Sequence, residues 1–452
     1  MIIVTINNCQ IDKKISKYVW WGGGTGRPAN RANTRATPAL NTRHYLQCEE
    51  FPAPGTKVLC IVIRVHLVFV SYSLGYRRKH LRTHVTVFGI LIISIMFQKM
   101  IPTSTFAKRM YSAATGKVKA QKYVLTKYFQ GEPKKTDFKI VEEELPELKE
   151  GEVLAEAEYL SVDPYMRAYM IGYKLPTDMI GGQVAKIVSS RNKNYAVGKY
   201  LAGSFGWRTH TIVKPDDFNT QVGFIPVTLL PDFGSHPVSL GLGVLGMPGN
   251  TAYFGVKEIC KPKPGETIVI TGAAGAVGSH VGQIGKILGC RVVGFAGTDE
   301  KCEYLEKELG FDRAYNYKTV DIRAALKDGC PTKVDCYFDN VGGEISTTIM
   351  SYMNKYGRVA VCGSISSYND MKLPKVTILQ PAIVFKELKV EGFLVNRWTD
   401  RWNEGIEANL KWLNEGKLKY QEKVYHGFDN MVDALVGMLR GENTGKAVVK
   451  VK

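Results

Sequence analysis

The residues whose spacing most clearly implies chemistry lie in TIVITGAAGAVGSHVGQIGKILG, residues 267 to 289. Thr267 to Thr271 is a short apolar, β-branched run, as expected of a parallel strand buried on both faces. Val277, Val281, Ile284 and Leu288 then recur at intervals of four, three and four, which places them on one face of a helix. Gly272, Gly275 and Gly278 join the two. A strand feeding a helix through such a turn aims free backbone N–H groups and the positive end of the helix dipole at one point, a seat for the pyrophosphate of a dinucleotide. Against the fingerprint G-x-G-x-x-G the first position is Ala273, so the turn is an A-x-G-x-x-G variant, and glycine-rich turns also occur for packing alone.

The segments that follow decide between these readings. RVVGFAG (291–297) has the pattern of a second strand and DEKCEYLEKELG (299–310) that of a second helix, while VDCYFDNVGGE and GRVAVCGSISSYN are later strand-to-loop units. Four such units in register make a doubly wound α/β sheet the economical fold. An NAD site usually places an Asp or Glu at the tip of the second strand, facing the ribose 2′-OH. Here the tip is Gly297-Thr298, with Asp299 and Glu300 already opening the next helix and Lys301 behind them. A small uncharged tip leaves room for a 2′-phosphate, and Lys301 offers it a compensating charge. NADPH is therefore the expected cofactor; the plain alternative for Lys301 is a solvated surface lysine.

The formal charge of +18 belongs to the N-terminal part of the chain. The first 131 residues carry 20 Lys/Arg against Asp12, Glu49 and Glu50, whereas the remainder carries 40 against 39. The body is neutral and shows no helix-turn-helix, zinc finger or aromatic-basic platform, so no nucleic-acid partner is expected. From about residue 121 it is long enough for two domains. Its six cysteines contain no C-x-x-C, and His210, His236, His280 and His426 are widely spaced, so no metal site is expected. Residues 1–117 show no domain-like pattern. Val85 to Phe97 is too short to span a membrane. MIPTSTFAKRMYSAATGKVKAQKY is rich in Lys, Arg, Ser and Thr and free of acids, like a mitochondrial presequence over about 100–111 with a processing site after Tyr111. Mitochondrial targeting, a spurious extension on a cytoplasmic enzyme starting at Met96 or Met100, and a membrane anchor all stand as readings.

From about residue 121 to 452 the chain resembles the zinc-independent medium-chain dehydrogenase/reductases, in the branch of prostaglandin reductases and 2-alkenal double-bond reductases. The resemblance is carried by SVDPYMR (161–167), MPGNTAYFG (247–255), GAAGAVGS (272–279), YNYKT (315–319), CYFDNVGGE (336–344), GSISSYN (363–369) and GENTGKAVV (441–449). It implies a GroES-like, partly closed β-barrel over 118–248, completed by 419–452, flanking a Rossmann domain over 249–418, with the active site in the cleft between them. The strand-like alternation of GEVLAEAEYLSV, with Val153, Ala155, Ala157 and Tyr159 on one side, and the closing strand GKAVVKVK agree with it. The resemblance carries over Gly275, Ala276, Val277 and Gly278 as the pyrophosphate turn and Lys301 and Tyr317 as the adenosine-phosphate end. Asn340 falls on the loop after the fourth strand. Cys362, Gly363, Ser364, Ile365, Ser366, Ser367 and Tyr368 form the wall beside the nicotinamide, Phe393, Leu394 and Val395 a second wall, and Asn443 a late contact. Tyr317 and Phe393 could instead be packing residues.

The chemistry follows from the missing Lewis acid. Zinc alcohol dehydrogenases polarise a carbonyl with a metal, and neither SVDPYMR nor GGQVAKIV supplies its ligands. A conjugated enone or enal can accept hydride at its β-carbon and needs only a hydrogen-bond donor for the resulting enolate oxygen. Tyr368 is the first choice for that donor and Tyr165 the second, and each could instead shape the pocket. The expectation is an NADPH-dependent reductase of α,β-unsaturated ketones and aldehydes that acts as a homodimer on small molecules. A quinone reductase of the same superfamily and a non-catalytic NADPH-binding protein are the alternatives.

Overall fold

The computed structural model describes residues 117–216, 225–372, 375, 377 and 379–452. The readings made for residues 1–116, including the presequence and its processing site, lie outside the described residues. All described residues belong to one compact unit, Ser104–Lys452.

A parallel sheet forms where the apolar runs and glycine turns indicated. Its strands lie in the order Arg313–Asn316, Arg291–Ala296, Thr267–Thr271, Val334–Asp339, Met353–Val361 and Lys389–Gly392. In chain order this is 3-2-1-4-5-6, so the winding reverses between Thr267–Thr271 and Val334–Asp339. Ligands of doubly wound sheets bind outside the carboxyl ends of the strands at such a reversal. Thr267–Thr271 is buried along its whole length, as its unbroken β-branched run implies. The helix Gly278–Ile287 presses Val281 and Ile284 into the same core as Ile268, Ile270 and Val292, with Val277 and Leu288 at its margin.

Two antiparallel sheets make up the rest. Phe138–Leu145, Val118–Leu125 and Thr177–Asp178 form the smaller one. In the larger, Val153–Ser161 pairs with Gln183–Ser190, with His210–Val213 and with the C-terminal strand Lys446–Lys450, which runs parallel to Glu422–His426. The chain thus returns after the parallel sheet to complete the β-structure it began. One detail departs from simple alternation. Val153, Ala155 and Ala157 are buried as expected, but Leu160 is buried while Tyr159 is half-buried. The register with Gln183–Ser190 shifts between Ala157 and Tyr159, and a bulge at that point exchanges the two faces of the strand.

Candidate cofactor and substrate cleft

A cleft of about 710 Å³ opens at the reversal of the parallel sheet and is closed on its far side by residues of the antiparallel β-structure. Its floor is the glycine turn. A Cβ on Gly278 would lie 2.4 Å from the Gly272 carbonyl oxygen, so only glycine lets the helix start this close to the strand. Ala273 is fully buried, and its methyl is accommodated by Gly294 on the next strand, where a Cβ would come within 2.9 Å of it. The departure from G-x-G-x-x-G is therefore compensated by packing. Gly275 donates back to Gly272 and Ser279 to Gly275, while the amides of Ala276 and Val277 meet no acceptor among the described residues. These amides and the end of a ten-residue helix suit a pyrophosphate.

The adenosine end is polar and over-supplied with cations. Thr298 caps the helix Asp299–Lys307. Asp299 accepts from the Asn316 side chain at 2.9 Å, which engages the nearest carboxylate in structure. Lys301 Nζ donates to the Gly441 carbonyl at 2.6 Å, and burial, reinforced by Lys318 and Lys423, pulls its pKa below that of an ordinary lysine. A Cβ at Gly297 would stand 3.4 Å from the Tyr317 hydroxyl and 3.6 Å from Lys318 Cε. Neither Lys301 nor Lys318 forms an ion pair among the described residues, so two ammonium groups crowd the same space without an anion. Two such groups could receive a phosphate. Lys318 directly follows Tyr317 in the sequence, but no local pattern marks it as part of this end.

At the reversal itself, Asn340 ties the two loops together through its side-chain amide to the Thr271 carbonyl, at 2.8 Å. Asp339 is buried and accepts from Thr271, Ser346 and the amides of Val341 and Gly342, a scaffold rather than a reactive carboxylate. The loop after Met353–Val361 follows the same scaffold: Cys362 and Gly363 donate to the Asp339 carbonyl, and Ile365 to that of Asn340. Cys362, Gly363, Ile365, Ser366 and Tyr368 face the cleft. Ser364 and Ser367 do not line it; their hydroxyls lie 3.1 Å apart and brace the loop from behind. Burial pushes the Cys362 thiol up to about 12.

The Ser364 N–H donates to the Tyr368 hydroxyl oxygen at 3.2 Å, leaving the phenol's own proton for another acceptor. Burial raises the Tyr368 pKa, partly opposed by this amide. Across from this loop the short helix Tyr165–Tyr169 sets both of its tyrosines on the cleft, with ring centroids 5.7 Å apart. Burial raises both phenols, Tyr165 well above the ordinary value, and the Tyr368 side chain adds to the shift at Tyr169. Tyr169 was absent from the sequence reading; its spacing of four from Tyr165 in an incipient helix is the signal that places it there. Phe393 lines the cleft and also packs edge-on against Phe338 and Trp398. Leu394 and Val395 continue that wall, and Asn443, also on the cleft, spends its amide on the Gly445 carbonyl at 2.7 Å. Among the described residues no group of three or more His, Cys, Asp or Glu is gathered to hold a metal ion.

Comparison with known proteins agrees with this geometry. Residues 121–220 match the N-terminal domain of oxidoreductase and residues 276–411 the zinc-binding dehydrogenase domain. The chain is 48% identical over 335 residues to prostaglandin reductase 1 of Bos taurus, spanning 74% of this chain and 99% of that protein. It is 38% identical to the NADP(+)-dependent 2-alkenal reductase of Nicotiana tabacum, over 74% of this chain and 98% of that one. Among solved structures, CurA of Vibrio vulnificus in complex with NADPH is 36% identical with a TM-score of 0.67, covering 74% of this chain and 99% of that chain.

Proposed function

The chain belongs to the zinc-independent medium-chain dehydrogenase/reductases, and we propose that it reduces the carbon–carbon double bond of α,β-unsaturated ketones and aldehydes. It is an NADPH-dependent oxidoreductase. The cleft suits that cofactor: the glycine turn offers free amides for a pyrophosphate, and Lys301 and Lys318 stand near Gly297 at the tip of the second strand, where they would meet a 2′-phosphate. When bound, the nicotinamide supplies the hydride.

The observation that carries the reading is a protonated phenol on a cleft wall that also carries aromatic and aliphatic side chains. Tyr368, Tyr165 and Tyr169 face a space shared with Met247, Phe393 and Val395. As a double bond is reduced at its β-carbon, negative charge develops on the carbonyl oxygen. The Tyr368 hydroxyl is held neutral by burial and is polarised by the Ser364 amide donating into it, so it meets that oxygen as a donor without reorganising. Tyr165 and Tyr169 keep water from the face opposite, and Cys362, Phe393 and Val395 give the substrate's hydrocarbon an apolar bed. Of the carboxylates on the cleft wall, Asp163 is engaged by Lys446 and Ser161, and water is the proposed source of the Cα proton.

The test is NADPH consumption over a panel of 2-alkenals, enones, oxo-lipids and quinones, with product analysis. Saturated carbonyl products support the proposal. Turnover confined to quinones would replace it with quinone reduction, and tight NADPH binding with no turnover across the panel would show a binding protein.

A further inference from the structure

Lys446 is 3% exposed and yet lies on the cleft. Its ammonium donates to the carbonyls of Val162 at 2.7 Å and Ala447 at 2.9 Å and to Asp163 Oδ1 at 3.0 Å. Three protons meet three acceptors, so none is left for a substrate. Asp163 is 4% exposed, and its second oxygen accepts from the Ser161 hydroxyl. A buried ion pair of this kind adds little net stability, because desolvation offsets the attraction. What it does fix is geometry.

The geometry it fixes joins two parts of the cleft. On one side, the carbonyls of Asp163 and Pro164 accept from the amides of Met166 and Arg167, both at 3.1 Å, and these bonds start the helix that carries Tyr165 and Tyr169. On the other side, the residue before Lys446 is bonded to the dinucleotide turn: the Gly445 amide donates to the Ala274 carbonyl at 2.7 Å, and Gly445 pairs with Gly275. Further back along the same turn, Gly441 is held by Lys301. Residues 441–446 therefore form a strap anchored at the adenosine end, at the pyrophosphate turn and at the tyrosine helix.

We infer that Lys446 is a positioning residue of the reductase: through Asp163 it sets the tyrosine helix relative to the dinucleotide turn, so that substrate and cofactor meet at reacting distance. This rests on the proposed double-bond reduction. Lys446→Met alone strands the Asp163 carboxylate in the interior and is expected to cost stability. The informative protein is the double variant Asp163→Asn, Lys446→Met, which removes both charges at similar volume. It is expected to melt close to the wild type and to bind NADPH with nearly unchanged affinity in a fluorescence titration. Its kcat on an enone should fall by about tenfold to a hundredfold, the cost of small misplacement at a reacting centre. Lys446→Arg, which keeps the charge but replaces the compact ammonium with a larger planar fork, should fold and lose part of the same kcat. Independently of turnover, NADPH should slow hydrogen exchange at the Met166 and Arg167 amides in the wild type and not in the double variant. Wild-type kcat in the double variant, kcat and NADPH affinity lost in proportion, or exchange at Met166 and Arg167 indifferent to NADPH in the wild type would each overturn the inference. A wild-type protein that slows exchange on binding NADPH but reduces no enone would instead overturn the proposed reaction and leave the coupling standing.

Discussion

Replacing Tyr368 with phenylalanine removes one oxygen and separates two effects of very different size. The first is loss of the acceptor for the Ser364 amide. Ser364 is half-buried, so water can replace the phenol there, and the cost is about 0.5–1 kcal/mol. In a body of this length that lowers the melting temperature by no more than about 2–4 °C. The second is loss of the donor to the developing enolate, worth about 10²–10³ in rate, or about 2.7–4 kcal/mol. Because this interaction strengthens only as charge develops, the loss belongs in kcat and not only in KM. Steady-state rates on two enones at saturating NADPH measure it, with NADPH affinity followed separately by fluorescence. The pH profile adds a second reading. Burial raises the Tyr368 pKa, so the wild-type donor stays protonated through the neutral range and is lost only above the ordinary phenol value of about 10; the Phe variant should lack that alkaline fall. A Phe variant with wild-type kcat would remove Tyr368 from the chemistry and leave Tyr165 or Tyr169 as the donor.

Lys318→Ala and Lys301→Ala should each raise the KM for NADPH by roughly ten- to a hundred-fold, the size of a hydrogen bond to a charged group, with little change for NADH; equal losses with both cofactors would dismiss the phosphate role. Removing Lys318 also relieves its repulsion of Lys301, so the cofactor-free protein should melt no lower than the wild type. His280 is fully buried and burial lowers its pKa to about 4. The unfolded chain takes up a proton near its ordinary value of about 6.5 while the folded one does not, so about 3 kcal/mol of stability is present above that pH and lost as pH falls towards 4. Urea unfolding at pH 7.5 and 4.5 should therefore differ less in His280→Gln than in the wild type, and identical differences would exclude this role. Cys362 lines the cleft for which we propose Michael-acceptor substrates, but a thiol near 12 holds only about one part in 10⁴ as thiolate at pH 8. Alkylation by an enal, followed by mass spectrometry, should be about one to two orders of magnitude slower at Cys362 than at an unhindered cysteine, because the greater nucleophilicity of a more basic thiolate offsets part of its scarcity, and rapid modification there would show the thiol to be ionised.

What the sequence disclosed and what it concealed divide along physical lines. Thr267–Thr271 and Gly278–Ile287 were legible because strand and helix periods, and the clearance needed at Gly278, are local properties. The variant Ala273 weakened the motif, since the compensating Gly294 lies on another strand and its role depends on the sheet's register. Tyr159 was assigned to the apolar face because alternation assumes an unbroken ladder, and a bulge is set by the partner strand. Ser364 and Ser367 were grouped with the cleft wall as part of one segment, but a 3-10 turn cannot point every side chain the same way. Lys446 and Asp163 stand 283 residues apart, and nothing in either neighbourhood announces the other.

The distribution of charge along the cleft follows from the two tasks it has to perform. Cofactor choice is a difference in ground-state binding, and it is best made far from the reacting atoms; in the proposed reading Lys301 and Lys318 make it on a group that does not change during the reaction. Placed beside the nicotinamide, the same ammonium groups would be solvated, mobile and attractive to any anion. There the cleft carries phenols that burial keeps neutral, and in the proposed reaction their hydrogen bonds, weak to a ketone and strong to an enolate, would contribute more as the reaction proceeds. Lys446, a cation on the wall near that end, is fully bonded and buried. Charge is thus spent on holding the frame, and selectivity for the transition state is left to groups that respond to it. Moving a lysine into this wall, as in Tyr169→Lys, should accordingly lower kcat on enones even where NADPH affinity is kept, because a fixed cation would bind carbonyl and enolate with a smaller difference than a phenol does.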